Sequence, residues 1–255
     1  MSEGIVIVGM ARTPMGGLLG ELSGYGAPEL GAIAVKAAMS EAGAAGADQI
    51  IMGNVLSAGL GQAPARQAAL RAGLAESTEA VTLNKMCGSG LQAVAMARQA
   101  LLVGEANVVI AGGMESMSRA PFLLTGHRGG RKYGHDKMLD SMAFDGLEDA
   151  YEGLPMGVYA DQAAKDYQLT RTQQDAYALE TLSRAQAATK EGRFKREIAV
   201  IENKAGALET DELPRKARPD KIPSLKPAFT DGGTVTAANA SAISDGAAAL
   251  VLMRA

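Results

Sequence analysis

Four short apolar runs alternate with three longer stretches of helical character over the first 120 residues. No other property of the chain restricts its fold as much. The runs are Ile5–Gly9, Gln49–Met52, Ala80–Leu83 and Asn107–Ala111; the helical stretches are Ala27–Ala42, Ala63–Ala72 and Gly88–Val103. Strands separated by helices of this length predict an α/β fold, with a mostly parallel sheet and crossover helices. The third helix carries Leu91, Val94, Ala95, Met96, Leu101 and Leu102, with Arg98 nearly its only charge. A helix apolar nearly all round is expected to lie buried between layers. Aromatic residues are 4% of the chain and Trp is absent, while 31 glycines let elements pack closely. That composition suits tight α/β layers and gives no support to a base-stacking platform for single-stranded nucleic acid.

From residue 121 the character changes. Pro121 leads into a glycine-rich stretch, Gly126–Lys137, that carries His127, Arg128, Arg131, Lys132, His135 and Lys137. Such a run is a solvated face, a subunit contact or an attractor of anions. Helices are predicted near Val158–Tyr167 and Thr170–Glu191, the second opened by a Thr170/Gln173 capping box. Asn203–Pro227 is polar and proline-rich and reads as an extended surface excursion. A last apolar run, Ala247–Met253, resembles the early strands and is expected to return to their sheet. The domain reading is therefore 1–120 for the first domain, 121–237 for an insertion, and 238–255 for the return strand.

The chain has 255 residues and a net charge of −3, so nothing pulls it towards nucleic acid or an anionic membrane. One cysteine allows no internal disulfide and fits a reducing, cytoplasmic setting. No apolar run reaches the roughly 18 residues of a membrane span. Met1-Ser2-Glu3-Gly4 enters the first strand with no charged or Arg-rich leader.

That lone cysteine lies in Asn84-Lys85-Met86-Cys87-Gly88-Ser89-Gly90, where a strand gives way to a helix. A thiol at the first turn of a helix is expected to face unpaired N–H groups and the positive end of the dipole, which favour the reactive thiolate. The neighbouring glycines leave room for a bulky electrophile. A buried structural cysteine is the alternative reading.

Several long segments resemble the thiolases, the acyl-CoA acetyltransferases. They are Val6–Pro14, Gly53–Leu56 with Gly61–Gln67, Asn84–Gly90, Ala111–Ser118 and Gly233–Ser241, in the order that family has them. The resemblance implies one half of a five-layer α-β-α-β-α fold with an inserted loop domain, and Cys87 as the residue that takes up the acyl group. It places Leu147, Met156, Phe229, Ala237 and Ser241 along a pantetheine channel and Arg215 at the adenine end of coenzyme A. Read alone, Leu147, Met156 and Phe229 are equally ordinary core and Arg215 an ordinary surface charge. Coenzyme A and acyl-CoA would be substrates, with no metal or other cofactor. One departure is Leu154-Pro155-Met156-Gly157, where many short-chain members carry histidine before the Met-Gly pair. The resemblance also makes Gly126–Lys137 a tetramerisation loop, so His127 and His135 are not assigned to catalysis.

Thiolases carry a second half with an Asn-Glu-Ala-Phe segment, a Gly-His-Pro histidine and a second cysteine. None of these occurs in the sequence. Claisen chemistry needs a base for the α-carbon and donors for the enolate oxygen. The expectation is therefore a nucleophile-bearing subunit whose base is on a separate C-terminal-half polypeptide, in a hetero-oligomer built on a dimer or tetramer. A fragment of a single-chain thiolase and a non-catalytic acyl-CoA-binding scaffold are the alternatives. The missing half would leave an exposed apolar face on this one.

Overall fold

The computed structural model describes residues 4–204 and 206–255. Met1-Ser2-Glu3, which belong to the N-terminus read above, and Ala205, inside the stretch read as extended, lie outside the described residues. The strands are β1 (Ile5–Arg12), β2 (Gly16–Gly17), β3 (Gln49–Gly53), β4 (Glu79–Leu83), β5 (Val108–Ser116), β6 (Phe122–Leu123), β7 (Leu139–Asp140), β8 (Ile201–Asn203), β9 (Gly206–Leu208) and β10 (Ser244–Arg254). The α-helices are α1 (Ala27–Ala42), α2 (Pro64–Ala72), α3 (Ser89–Val103), α4 (Ser141–Gly146), α5 (Met156–Asp166), α6 (Arg171–Lys190) and α7 (Glu212–Lys216).

Two compact units divide the chain. The first holds the residues up to Arg119 with Phe194–Glu212 and Ser244–Ala255; the second holds Ala120–Arg193 and Leu213–Ile243. In the first unit the sheet order is β1-β10-β5-β3-β4, and β2 pairs with β10. β3 is parallel to both β4 and β5, as the alternation of strands and helices predicts. β10 does join that sheet, but it enters between β1 and β5 and runs antiparallel to each. The sheet is thus mixed, with β10 running against the rest.

The sheet's two faces follow the period of two along each strand. Ile50 and Met52 of β3, Ile110 of β5 and Val251 of β10 join Leu30, Val35 and Ala38 of α1 and Ala65 and Ala68 of α2 in one core. Ile51, Val109, Ala111 and Leu252, one residue out of step, pack with Ala93, Ala97 and Leu101 of α3 on the other face. Each large side chain fully buried here contributes on the order of 2 kcal/mol.

The expectation that α3 is buried all round is corrected. Ala93, Ala97, Ala100 and Leu101 are buried, whereas Leu91 is 80% and Val103 76% exposed. The sheet covers one stripe of the helix, and among the described residues no other layer of the first unit covers the opposite one.

Phe194–Glu212 falls within the range read as the insertion, yet it packs with the first unit. Arg12 of β1 is the reason. Its guanidinium donates to Glu197 Oε1 at 2.7 Å and to Asp211 at 2.7 and 3.0 Å, and it stacks 5.2 Å from the Phe194 ring. Buried Glu212 accepts from the N–H groups of Gly17 and Glu21. The stretch Asn203–Pro227 is also less extended than expected, since it includes α7 and a 3-10 turn, Pro219–Ser224.

In the second unit α6 begins as predicted. Thr170 accepts from Gln173 N–H, and the Gln173 side chain accepts from Thr170 N–H. No helix among the described residues is long and apolar enough to cross a membrane.

Candidate active site

Because β3, β4 and β5 are parallel, their C-terminal ends share one edge of the sheet. Asn54, the Asn84–Cys87 turn and Glu115 all lie there. Open α/β sheets present their working loops at such an edge.

Cys87 is exposed. It precedes the N-cap residue Gly88 and stands just outside α3, not in its first turn. Two of the N–H groups expected to face the thiol are already used: Gly88 donates to Lys85 O at 3.1 Å and Ser89 to Met86 O at 3.0 Å. The turn is held from within. Ser89 Oγ accepts from Lys85 N–H at 2.8 Å and donates to Met86 O at 2.6 Å, and Asn84 Oδ1 accepts from Met86 N–H at 2.9 Å. Met86 has φ +50°, a conformation that costs a non-glycine residue on the order of 1 kcal/mol and persists only where its surroundings impose it. The result is a rigid turn that presents the sulfur to solvent.

Gly53, the last residue of β3, seats this turn. A Cβ on Gly53 would lie 2.6 Å from Ser89 Cβ and 2.8 Å from Ser89 C. Next to it, Asn54 donates from its backbone N–H to Leu83 O at 3.0 Å. The Asn54 side chain donates to Glu115 Oε1 at 2.7 Å and to Met114 O at 3.1 Å. Glu115 also accepts from the N–H groups of Val55 at 2.8 Å and Leu56 at 3.2 Å. Burial pushes the Glu115 carboxyl above its ordinary value, and these hydrogen bonds only partly offset that rise. Asn54 and Glu115 belong to the segments that carry the family resemblance, but the sequence reading assigned neither a role. The available signal was a lone carboxylate inside the otherwise apolar run Val108–Ser116.

The residues placed on a pantetheine channel lie in the second unit. Leu147 and Met156 are adjacent, since Met156 N–H donates to Leu147 O at 2.9 Å. Phe229 joins them: its ring lies so close to Gly157 that a Cβ there would stand 2.2 Å from a ring carbon. Met156 and Phe229 are 47% and 40% exposed, which sets aside their reading as plain core. Leu147 is half-buried, and Ala237 and Ser241 are exposed. Arg215 is exposed on α7, whose Pro214 O accepts from Gln186 Nε2 at 2.8 Å.

Two aspartates absent from the sequence reading tie this loop down. Asp161 of α5 accepts from Thr230 Oγ1 at 2.6 Å, Thr234 N–H at 2.8 Å and Val235 N–H at 2.9 Å. Asp175 of α6 accepts from Arg171 Nε at 2.7 Å and Asn239 Nδ2 at 3.1 Å, and Asn239 Oδ1 accepts from Thr236 N–H. Burial raises the Asp161 carboxyl, but the hydrogen bonds from Thr230, Val235 and Thr234 outweigh it and hold it below its ordinary 3.8. A carboxylate lowered in this way stabilises the fold above its unfolded value and loses that contribution as pH falls through the folded one. The melting temperature of this chain therefore drops more steeply below about pH 4 than that of Asp161→Asn, measured as a melting series against pH.

The Gly126–Lys137 loop is less basic than its sequence suggests. Asp136 pairs with His127 Nε2 at 2.5 Å and with Arg131 at 2.8 Å.

Comparison with known proteins bears on the family and the fold. The family described as thiolase, N-terminal domain, matches residues 5–255. An acetyl-CoA acetyltransferase of Cupriavidus necator is 48% identical over 98% of this chain, which spans 66% of that protein's length. Acetyl-CoA acetyltransferase 2 of Arabidopsis thaliana is 48% identical over 98% of the chain, which spans 64% of it. The solved structure of Acat5 thiolase from Ascaris suum in complex with coenzyme A superposes with a TM-score of 0.92 at 41% identity, over 98% of this chain and 65% of that one. This chain, with its layered α/β fold, belongs to the thiolase family, of which it carries the N-terminal domain.

Proposed function

We propose that this chain is the nucleophile-bearing subunit of an acetyl-CoA C-acetyltransferase, working with a separate polypeptide that supplies the second half. The observation that carries the reading is the solvent-facing Cys87 on a turn locked by Ser89 and Asn84.

The Cys87 thiolate attacks the carbonyl carbon of acetyl-CoA and forms a C–S bond. Collapse of the tetrahedral intermediate expels the coenzyme A thiolate, which takes up a proton. A base then removes an α-proton from a second acetyl-CoA. The resulting carbanion attacks the acetyl-Cys87 carbonyl, a C–C bond forms, and Cys87 leaves as thiolate with acetoacetyl-CoA as product. Thiolysis runs these steps backward. Leu147, Met156, Phe229, Ala237 and Ser241 would line the pantetheine arm and Arg215 would meet the adenine end. Nucleophile activation and α-proton removal both need positioned bases. The chain's two histidines, His127 and His135, lie in the Gly126–Lys137 loop, and its one cysteine is Cys87.

The exposed stripe of α3, with Leu91 and Val103, supports a partner that covers it. The reading also places the chain in a reducing, cytoplasmic setting, in a hetero-oligomer built on a dimer or tetramer.

Acetoacetyl-CoA thiolysis tests this, run with the chain alone and with the second half of a thiolase added as a separate polypeptide. The expected result is no turnover alone and turnover together. Turnover by the chain alone would place a base within these 255 residues. No turnover in either case, and no acetyl adduct on Cys87, would favour a binding scaffold.

A further inference from the structure

The Asn54–Glu115 pair lies at the Cys87 edge of the sheet and is not used by the mechanism above. Asn54 is 3% exposed, and its amide can take only one orientation. Nδ2 faces two acceptors, Met114 O and Glu115 Oε1, so a flip would set oxygen against oxygen. That orientation leaves Asn54 Oδ1 buried with no hydrogen-bond partner among the described residues. Glu115 gathers three N–H donors from three consecutive residues, Asn54, Val55 and Leu56, and none of the described ion pairs includes it.

This arrangement is poorly explained by stability. A carboxyl raised by burial favours the folded state only below its unfolded value, and it loses that contribution as pH rises through the folded one. The unsatisfied buried acceptor Asn54 Oδ1 beside it costs stability. Groups kept against stability cluster where a site needs fixed geometry.

We infer that Glu115, through Asn54 and the turn after β3, is a positioning residue for Cys87. The path is short. Glu115 pins Asn54–Leu56; Asn54 N–H anchors Leu83, the last residue before the Asn84–Cys87 turn; and Gly53 is the seat against which Ser89 packs. Ser89 in turn holds Lys85 N–H and Met86 O, on either side of the strained Met86. Releasing Glu115 lets the seat move and the thiol with it. The inference rests on reading Cys87 as the acyl acceptor, and it is tested first with a reagent that does not depend on that reading.

The experiment compares the full wild-type chain with Glu115→Gln and Asn54→Ala. It measures the rate of Cys87 alkylation by iodoacetamide, acetyl transfer from acetyl-CoA by intact mass, and thermal melting at neutral pH. Glutamine keeps the shape of Glu115 but turns an amino group towards N–H donors. The expected result is an alkylation rate shifted by about tenfold in both variants, because a moved turn changes the thiolate fraction and access that set it, with both variants still folded at neutral pH. Alkylation at the wild-type rate in folded variants would overturn the inference. So would loss of the fold in both, since the pair would then serve stability. A wild-type chain that is alkylated readily but takes no acetyl group would instead count against the proposed function.

Discussion

Cys87→Ser is expected to abolish the acetyl adduct and, in the reconstituted pair proposed above, acetoacetyl-CoA thiolysis, with turnover reduced at least roughly 10³-fold. A serine hydroxyl is far harder to ionise than a thiol and is a much poorer leaving group when the C–C bond forms. The turn around position 87 holds no dedicated base that would compensate. Its hydrogen bonds join Asn84, Lys85, Met86 and Ser89 to each other, and none of the bonds that fix the turn uses the sulfur. The substitution therefore removes chemistry without removing structure. Because Cys87 is exposed, the stability change stays within about 0.5 kcal/mol. Intact mass after incubation with acetyl-CoA, read beside a melting curve, checks both halves. An adduct on the serine protein would move the acyl site elsewhere.

Gly53→Val has the opposite profile, since it damages the seat and leaves the nucleophile in place. The atoms that a Cβ at position 53 would meet are Ser89 Cβ at 2.6 Å, Ser89 C at 2.8 Å and Gly90 N at 2.9 Å. The last two are backbone at the start of α3 and cannot swing aside as a side-chain tip can. Either α3 moves away from β3 or the end of β3 distorts. Overpacking of this kind costs about 1–3 kcal/mol, and valine's two further methyls put it at the upper end. Displacing α3 carries the Met86–Cys87 turn with it, so the rate of iodoacetamide labelling at Cys87 shifts by about tenfold or more as its access and thiolate fraction change. Gly24→Ala is the control. A Cβ there meets nothing within 4 Å, and both melting and labelling stay at wild-type values. Unchanged labelling in a folded Gly53→Val protein would show that the seat does not set the thiol's position.

The sequence by itself determined the strand–helix alternation, because amphipathic periodicity and helix caps are local properties. α1 runs over Ala27–Ala42 as predicted, and the Thr170/Gln173 capping box is in place. It also singled out Cys87, since a lone thiol between a strand and a glycine-flanked helix start is visible without any fold. Family resemblance carried the rest of the candidate site, including the Leu147, Met156 and Phe229 cluster. Only the tertiary structure decided three further matters. It placed β10 antiparallel between β1 and β5, a choice of neighbour that depends on the whole sheet. It showed that α3 keeps one stripe uncovered, which composition cannot report because burial depends on what packs alongside. It brought Asn54 and Glu115 together at the sheet edge that carries Cys87, and Asp161 and Asp175 onto the loop that follows Phe229. The physical reason is the same for the three acids, Glu115, Asp161 and Asp175. A carboxylate's role is set by the N–H groups that converge on it, and here they arrive from residues about 60 to 75 positions away. No local pattern in the chain records that convergence.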